Sequence, residues 1–292
     1  MDKVLNIKDL EKYRYNYSKA PWRNEHTCVE YMVPMEWFEN FPEDYQPGYK
    51  NINAKLVYAS KILTYKMREL HDDRCQSWVS CDIQDLDEVI MNNIEGALCA
   101  YDVFDERPEL KEHPVVVAIR DAFFKYRHLK PHHALVSFYS ADGMLDDLIE
   151  PTKEKMVKML VEMNSWTDVV TNSSSEIFLC SSDKTADIIE HMVSNYSAEN
   201  DDWQSEVEVN PVDFEFEIKQ AIVDEYGEET ISSLDLNDYG ITPEMVQEFE
   251  KLFREVHNMH SGTIFTIEIS QHATKTKDFL QDEFGAQYYE SA

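Results

Sequence analysis

The chain has 292 residues, 57 of them acidic and 27 basic, for a formal net charge of -30. Apolar residues make up 43% and aromatics 12%, enough for one large core or two modest ones, which excludes a disordered acidic polymer. The charge is uneven: residues 171–292 carry 6 Lys+Arg against 27 Asp+Glu, and the stretch from Glu199 to Glu250 holds 17 acids and one base, Lys219.

The N-terminal 22 residues contain no apolar run of signal-peptide length, and no segment reaches the roughly 18 apolar residues of a membrane span, so neither export nor insertion is expected. Cys28, Cys75, Cys81, Cys99 and Cys180 are odd in number and irregularly spaced, and read as reduced, mostly buried thiols. The first 50 residues are rich in aromatics and prolines without a sustained period, and read as loops and short strands packed on something larger. Three- and four-residue spacing of Ile52, Leu56, Ala59, Ile62, Leu63 and Met67 predicts a helix over 51–71. Val89, Ile90, Ile94, Leu98 and Tyr101 predict a second over 86–104, and Val116, Ile119 and Phe123 a third over 108–129, stopped by Pro131.

The run ALVSFY at 134–139 reads as a strand, followed by turn chemistry at Asp142-Gly143 and a helix over 151–164 begun by Pro151. Residues 169–170 and 176–180 are strand-like, and 184–196 completes a strand–helix unit. Asn210-Pro211 and Thr242-Pro243 each read as an N-cap followed by Pro at the first helical position, predicting helices over 210–226 and 243–259. Gly262, the alternating TIFTIEI of 263–269, and a last helix over 275–284 follow. The class expected is α+β, helix-dominated, with short strands around 134–139, 169–180 and 263–270. Two domains are expected: 1–165, an aromatic-rich N-terminal segment plus a helical domain, and 166–292, an acidic α+β domain.

Four groups of residues offer chemistry. Asn172, Ser173, Ser174, Ser175 and Glu176 form a polar loop whose amides and hydroxyls either satisfy their own backbone or cradle a nucleotide, with Glu176 as a polar anchor. The absence of glycine and of a following lysine excludes a Walker-type phosphate loop. The segment Val170–Phe178, VTNSSSEIF, resembles the V-T-N-S-S-S-x-x-F stretch of uncharacterised phage and bacterial proteins, and the resemblance implies a phage or mobile-element origin. The order Arg120, Ser175, Glu268 also resembles that of arginine–serine–glutamate ADP-ribosyltransferases. Here, however, the position two before Glu268 is Thr266, where that family carries an acid.

His257, His260 and His272, then His128, His132 and His133, and His71 with Cys75 and Cys81, are loose sets without a zinc-closing spacing, so no metal and no cofactor is expected. Arg120, Lys125, Arg127 and Lys130 form the one basic cluster, read as a solvated helix end or a small anion site. The function expected is a non-enzymatic acidic interaction protein, phage-encoded and acting in the host cytoplasm, that inhibits a basic, nucleic-acid-binding surface of a host protein complex such as a defence nuclease. It would contact no nucleic acid and no membrane directly. Its contact residues would be Asp213, Glu215, Glu217, Asp224, Glu225, Glu228 and Glu229. A nucleotide-handling or ADP-ribosyltransferase-like enzyme using the Ser-rich loop, and a virion or assembly protein that self-associates through Tyr and Trp, are the alternatives.

Overall fold

The computed structural model describes residues 7–19, 26–39, 52–69, 79–141, 175–200, 202, 207–223, 228–259 and 261–291. The class is α+β and helix-dominated, and the described residues form two four-stranded antiparallel sheets. The chain divides into two compact units, Met1–Val89 with His128–Asp168, and Ile90–Arg127 with Val169–Ala292. This differs from a single boundary at 165, because residues 90–127 group with the acidic region. Helical periodicity shows which face of a segment is buried and is silent on what buries it.

In the first unit, β1 (Arg14–Lys19), β2 (His26–Pro34), β3 (Val79–Asp85) and β4 (His133–Ala141) form a sheet in the order β1-β2-β4-β3. Strand β2 runs against β4 in unbroken register from His26 opposite Ala141 to Pro34 opposite His133. Alternation places Val29, Tyr31 and Val33 on the buried face with Ala134, Val136 and Phe138. They meet Leu56, Ala59, Leu63 and Met67, the inner stripe of α1 (Ile52–Glu69). Each Val, Leu, Met or Phe among them contributes about 1.5–3 kcal/mol through burial. The Tyr31 phenol donates to Glu11 Oε1 at 3.0 Å, and burial together with that carboxylate pushes its pKa up.

Helix α2 (Leu86–Ala97) starts in the first unit and ends in the second, 97 rather than 104 being its limit. Cys99 and Asp102 take φ of 52° and 61°, so the backbone turns just where the apolar pattern runs on through buried Leu98. A short helix, Val103–Glu106, follows, then a 3-10 turn, Pro108–Glu112, and α3 (Pro114–Tyr126).

The second unit's sheet has the order β6-β7-β5-β8, from β5 (Ser175–Ser182), β6 (Glu208–Pro211), β7 (Thr263–Ser270) and β8 (Gln287–Ser291). The expected strand residues 169–174 lie outside the described residues, as does the helix expected over 151–164. One face of the sheet, with Phe178, Cys180, Val209, Phe265, Ile267 and Ile269, is covered by Ile189 and Val193 of α4 (Ala186–Glu199) and by Leu280 of α7 (Thr274–Phe284). Helices α5 (Phe214–Val223) and α6 (Pro243–Val256) pack with α3 and with each other. Phe214 meets Phe249 and Phe253 edge-on at 6.3 and 5.3 Å.

Two boundaries correct the sequence reading. Asn210-Pro211 is no helix start: both residues end β6, opposite Thr266 and Phe265, and β6 is an edge strand, where a proline without an N–H is tolerated. The cap of α5 is Asp213, whose carboxylate accepts from the amides of Glu215 and Phe216 at 3.0 and 3.2 Å. Gly262 does not end a helix either, since α6 stops at Val256. It has a φ of 116°, and a Cβ there would lie 2.9 Å from the Ser182 carbonyl carbon.

Candidate interaction surface

Of the seven carboxylates expected to form one face, Asp213, Glu215 and Glu217 have described side chains, and each has a local environment of its own. Asp213 is spent on capping α5. Glu215 pairs with Lys219 at 2.7 Å, one turn along, where a base four residues C-terminal to an acid cancels its charge locally. Glu217 is half-buried on the same helix, and burial, then the neighbouring Asp213 charge, push its carboxyl up to about 7. Asp224 and Glu225 lie outside the described residues. Glu228 and Glu229 open a six-residue helix, Glu228–Ser233.

Of the Ser-rich loop, Asn172, Ser173 and Ser174 lie outside the described residues. Ser175 begins β5, directly opposite Ser270. Glu176 follows it and turns toward the helix-covered face, where Lys277 of α7 donates to its Oε1 at 2.6 Å and to the Gln271 carbonyl at 2.8 Å. Both side chains of the pair are about four-fifths buried, with relative exposures of 21% and 19%. The residue expected to anchor a ligand is thus half of an internal ion pair that ties β5 to α7. Glu268 stands opposite Ile177 on one side and Glu208 on the other, and Arg120 lies on α3 with Asp121 as its partner at 3.5 Å.

Arg120, Lys125 and Arg127 of the basic cluster have partners within the second unit. Lys125 donates to the Asp238 carbonyl at 2.6 Å and sits 5.3 Å over the Tyr239 ring. Arg127 donates to the Val223 carbonyl at 2.8 Å. His257 donates from Nε2 to the Leu98 carbonyl at 2.8 Å and packs on Phe253, while His272 turns to Gln271; His260 and His71 lie outside the described residues. Among the described residues no group of three His, Cys, Asp or Glu side chains is placed to hold a metal ion, and no helix is long and apolar enough to cross a membrane. Cys81 and Cys180 are free thiols, and burial pushes Cys180 up to about 11.

An acidic surface that the sequence reading passed over lies on α4 and α7. The two helices sit side by side, with the Tyr196 and Phe279 rings stacked at 4.2 Å. Their inner stripes cover the sheet, so their outward turns present Asp187 and Glu190 from α4, and Asp278 and Asp282 from α7, all exposed. Among the described residues none of these four enters an ion pair. The nearby bases are occupied: Lys184 lies over the Phe284 ring, and Lys275 donates to the Asn200 carbonyl. Ile188 stands 49% exposed in the same ridge, an apolar contact inside a negative field. Glu215 and Glu250 differ from these four acids in having Lys219 and Arg254 four residues on and within ion-pair distance.

No protein-family model, curated protein or solved structure matches the chain.

Proposed function

We propose that this chain is a non-enzymatic, phage-encoded interaction protein that binds a basic, nucleic-acid-binding surface of a host protein complex, such as a defence nuclease, and inhibits it by occupying that surface. The observation that carries the reading is the α4–α7 ridge, where Asp187, Glu190, Asp278 and Asp282 are exposed and unneutralised. Duplex DNA offers one charge per about 1.7 Å of axis, whereas acids one helical turn apart repeat at about 5.4 Å. One acidic helix is a sparse copy of a duplex, and two packed side by side are a denser one. The likeness of Val170–Phe178 to phage proteins supports the origin, and the capture of Glu176 by Lys277 supports a binding role over a catalytic one.

The test compares the wild-type chain with a variant carrying Asp187→Lys, Glu190→Lys, Asp278→Lys and Asp282→Lys, each immobilised and exposed at low salt to lysate of a host that encodes a defence nuclease. The wild type is expected to retain a DNA-binding complex, released by excess duplex DNA and by high salt, that the variant does not retain. Equal retention by the two proteins, or retention that duplex DNA leaves untouched, overturns the reading.

A further inference from the structure

In the first unit, Tyr13 and Trp37 meet edge-to-face, with ring centroids 5.7 Å apart and planes at 80°. The indole Nε1–H donates to the Tyr13 hydroxyl at 3.0 Å, which locks the angle. Both rings are half-buried and pack from behind against the core that holds Tyr31, Phe38 and Leu63. The result is a rigid right-angled corner with a π-face on each wall. The ammonium of Lys12 sits in it, 4.9 Å from both centroids. Lys12 is exposed, and among the described residues these two rings are its only polar or cation–π partners.

We propose that the Tyr13–Trp37 corner is a binding site for an alkylated ammonium group, and that Lys12 is a resident, exchangeable occupant of it. Two converging ring faces attract any cation placed within about 6 Å of both centroids. A primary ammonium is a poor match: it is strongly hydrated and has three donors, none of which finds an acceptor in the corner. A trimethylammonium group sheds less water and presents methyls to both walls. A guanidinium is a plate, suited to one ring face, while a right-angled corner suits a rounded group touching two. The same chemistry belongs to trimethyllysine side chains and to choline.

The contact at an exposed site is weak, so Lys12 is displaced readily but taxes the affinity of whatever replaces it. Removing the Lys12 side chain therefore tightens binding by about three- to sixfold, with dissociation constants in the millimolar range or below.

The experiment is fluorine NMR of the protein carrying 5-fluorotryptophan, with the Trp37 resonance identified by its loss in Trp37→Phe. Tetramethylammonium chloride, free N-trimethyllysine, choline and the neutral choline isostere 3,3-dimethylbutan-1-ol are titrated separately. The three cations are expected to shift the Trp37 resonance saturably, and the neutral isostere to leave it in place. Lys12→Ala is expected to strengthen each cation's binding by the stated factor, while Lys61→Ala, which removes an exposed charge from α1, leaves it unchanged. The tighter of trimethyllysine and choline identifies the source of the group. An unmoved Trp37 resonance, an equal response to the neutral isostere, or no gain in Lys12→Ala overturns the proposal.

Discussion

Arg127 donates to the carbonyl of Val223 at 2.8 Å, and Val223 is the last residue of α5. A cation therefore sits at the carbonyl end of α5, where the negative end of the helix dipole favours it. Arg127 directly follows α3, whose Phe123 ring lies beneath the guanidinium at 5.8 Å. From a cluster that reads in sequence as a solvated helix end or a small anion site, Arg127 serves as the clasp between two helices of one unit.

Arg127→Ala is expected to lower stability by about 1.5–3 kcal/mol, the usual worth of a hydrogen bond to a charged group. The fall should appear as a lower urea midpoint with an unchanged slope, and Arg127→Lys should recover part of it. An unchanged midpoint in Arg127→Ala would show that the clasp is ornamental.

Glu217 sets a pH dependence. Its carboxyl is pushed from the ordinary 4.5 up to about 7, so the folded state holds a proton that the unfolded chain releases. The favourable contribution is fully present below about pH 4.5 and is lost as the pH rises through about 7. Glu217→Gln should therefore change little near pH 5 and stabilise the protein near pH 8 by on the order of 1–3 kcal/mol, allowing for its partial exposure. Denaturation midpoints across that range check it, and parallel curves for the two proteins would contradict it.

Legibility followed the kind of signal. The inner stripe of α1, Leu56 to Met67, is a pure 3.6-residue pattern and was read directly, as was Pro243 at the start of α6. Asn210-Pro211 carries the same two-residue signature and ends a strand instead. Strand pairing at an edge and a helix start both tolerate a proline, and only the ladder to Thr266 separates them. Density of charge along the chain picks out Glu215, which Lys219 neutralises, and passes over the exposed Asp278. The deciding quantity is the unneutralised charge; the i+4 partner reveals it for Glu215, whereas the fate of Lys184 and Lys275 is set by tertiary contacts no local pattern encodes.

Gly262→Ala is expected to cost about 2–4 kcal/mol. Its φ of 116° is rarely reached by other residues, and the added methyl would meet Ser182 backbone at 2.9 Å, where neither strand end is free to give. Thermal unfolding measures it, and a shift within experimental scatter would mean that the turn relaxes.

The Ser-rich loop and its neighbour separate by size of effect. Lys277→Ala leaves the mostly buried Glu176 carboxylate unpaired and should cost about 3 kcal/mol, whereas Ser175→Ala should cost about 1 kcal/mol or less. ATP, GTP and NAD should leave the unfolding temperature unchanged. A nucleotide-dependent rise worth about 2.7 kcal/mol at a hundredfold excess over its dissociation constant, abolished by Ser175→Ala, would restore the enzymatic reading.

The second unit is discontinuous in sequence, and this orders events at the ribosome. Helix α3 is complete at Tyr126, but α5, against which it packs, begins at Phe214. At about 5–20 residues per second, α5 follows α3 by roughly 5–20 s, and until then α3 lacks the cover that α5 gives it in the finished fold. The intervening chain, 128–168, meanwhile completes the first unit. Synthesis thus finishes one unit while a half-made neighbour waits for that cover, so the yield of folded protein will depend on chaperone supply and elongation rate as well as on final stability.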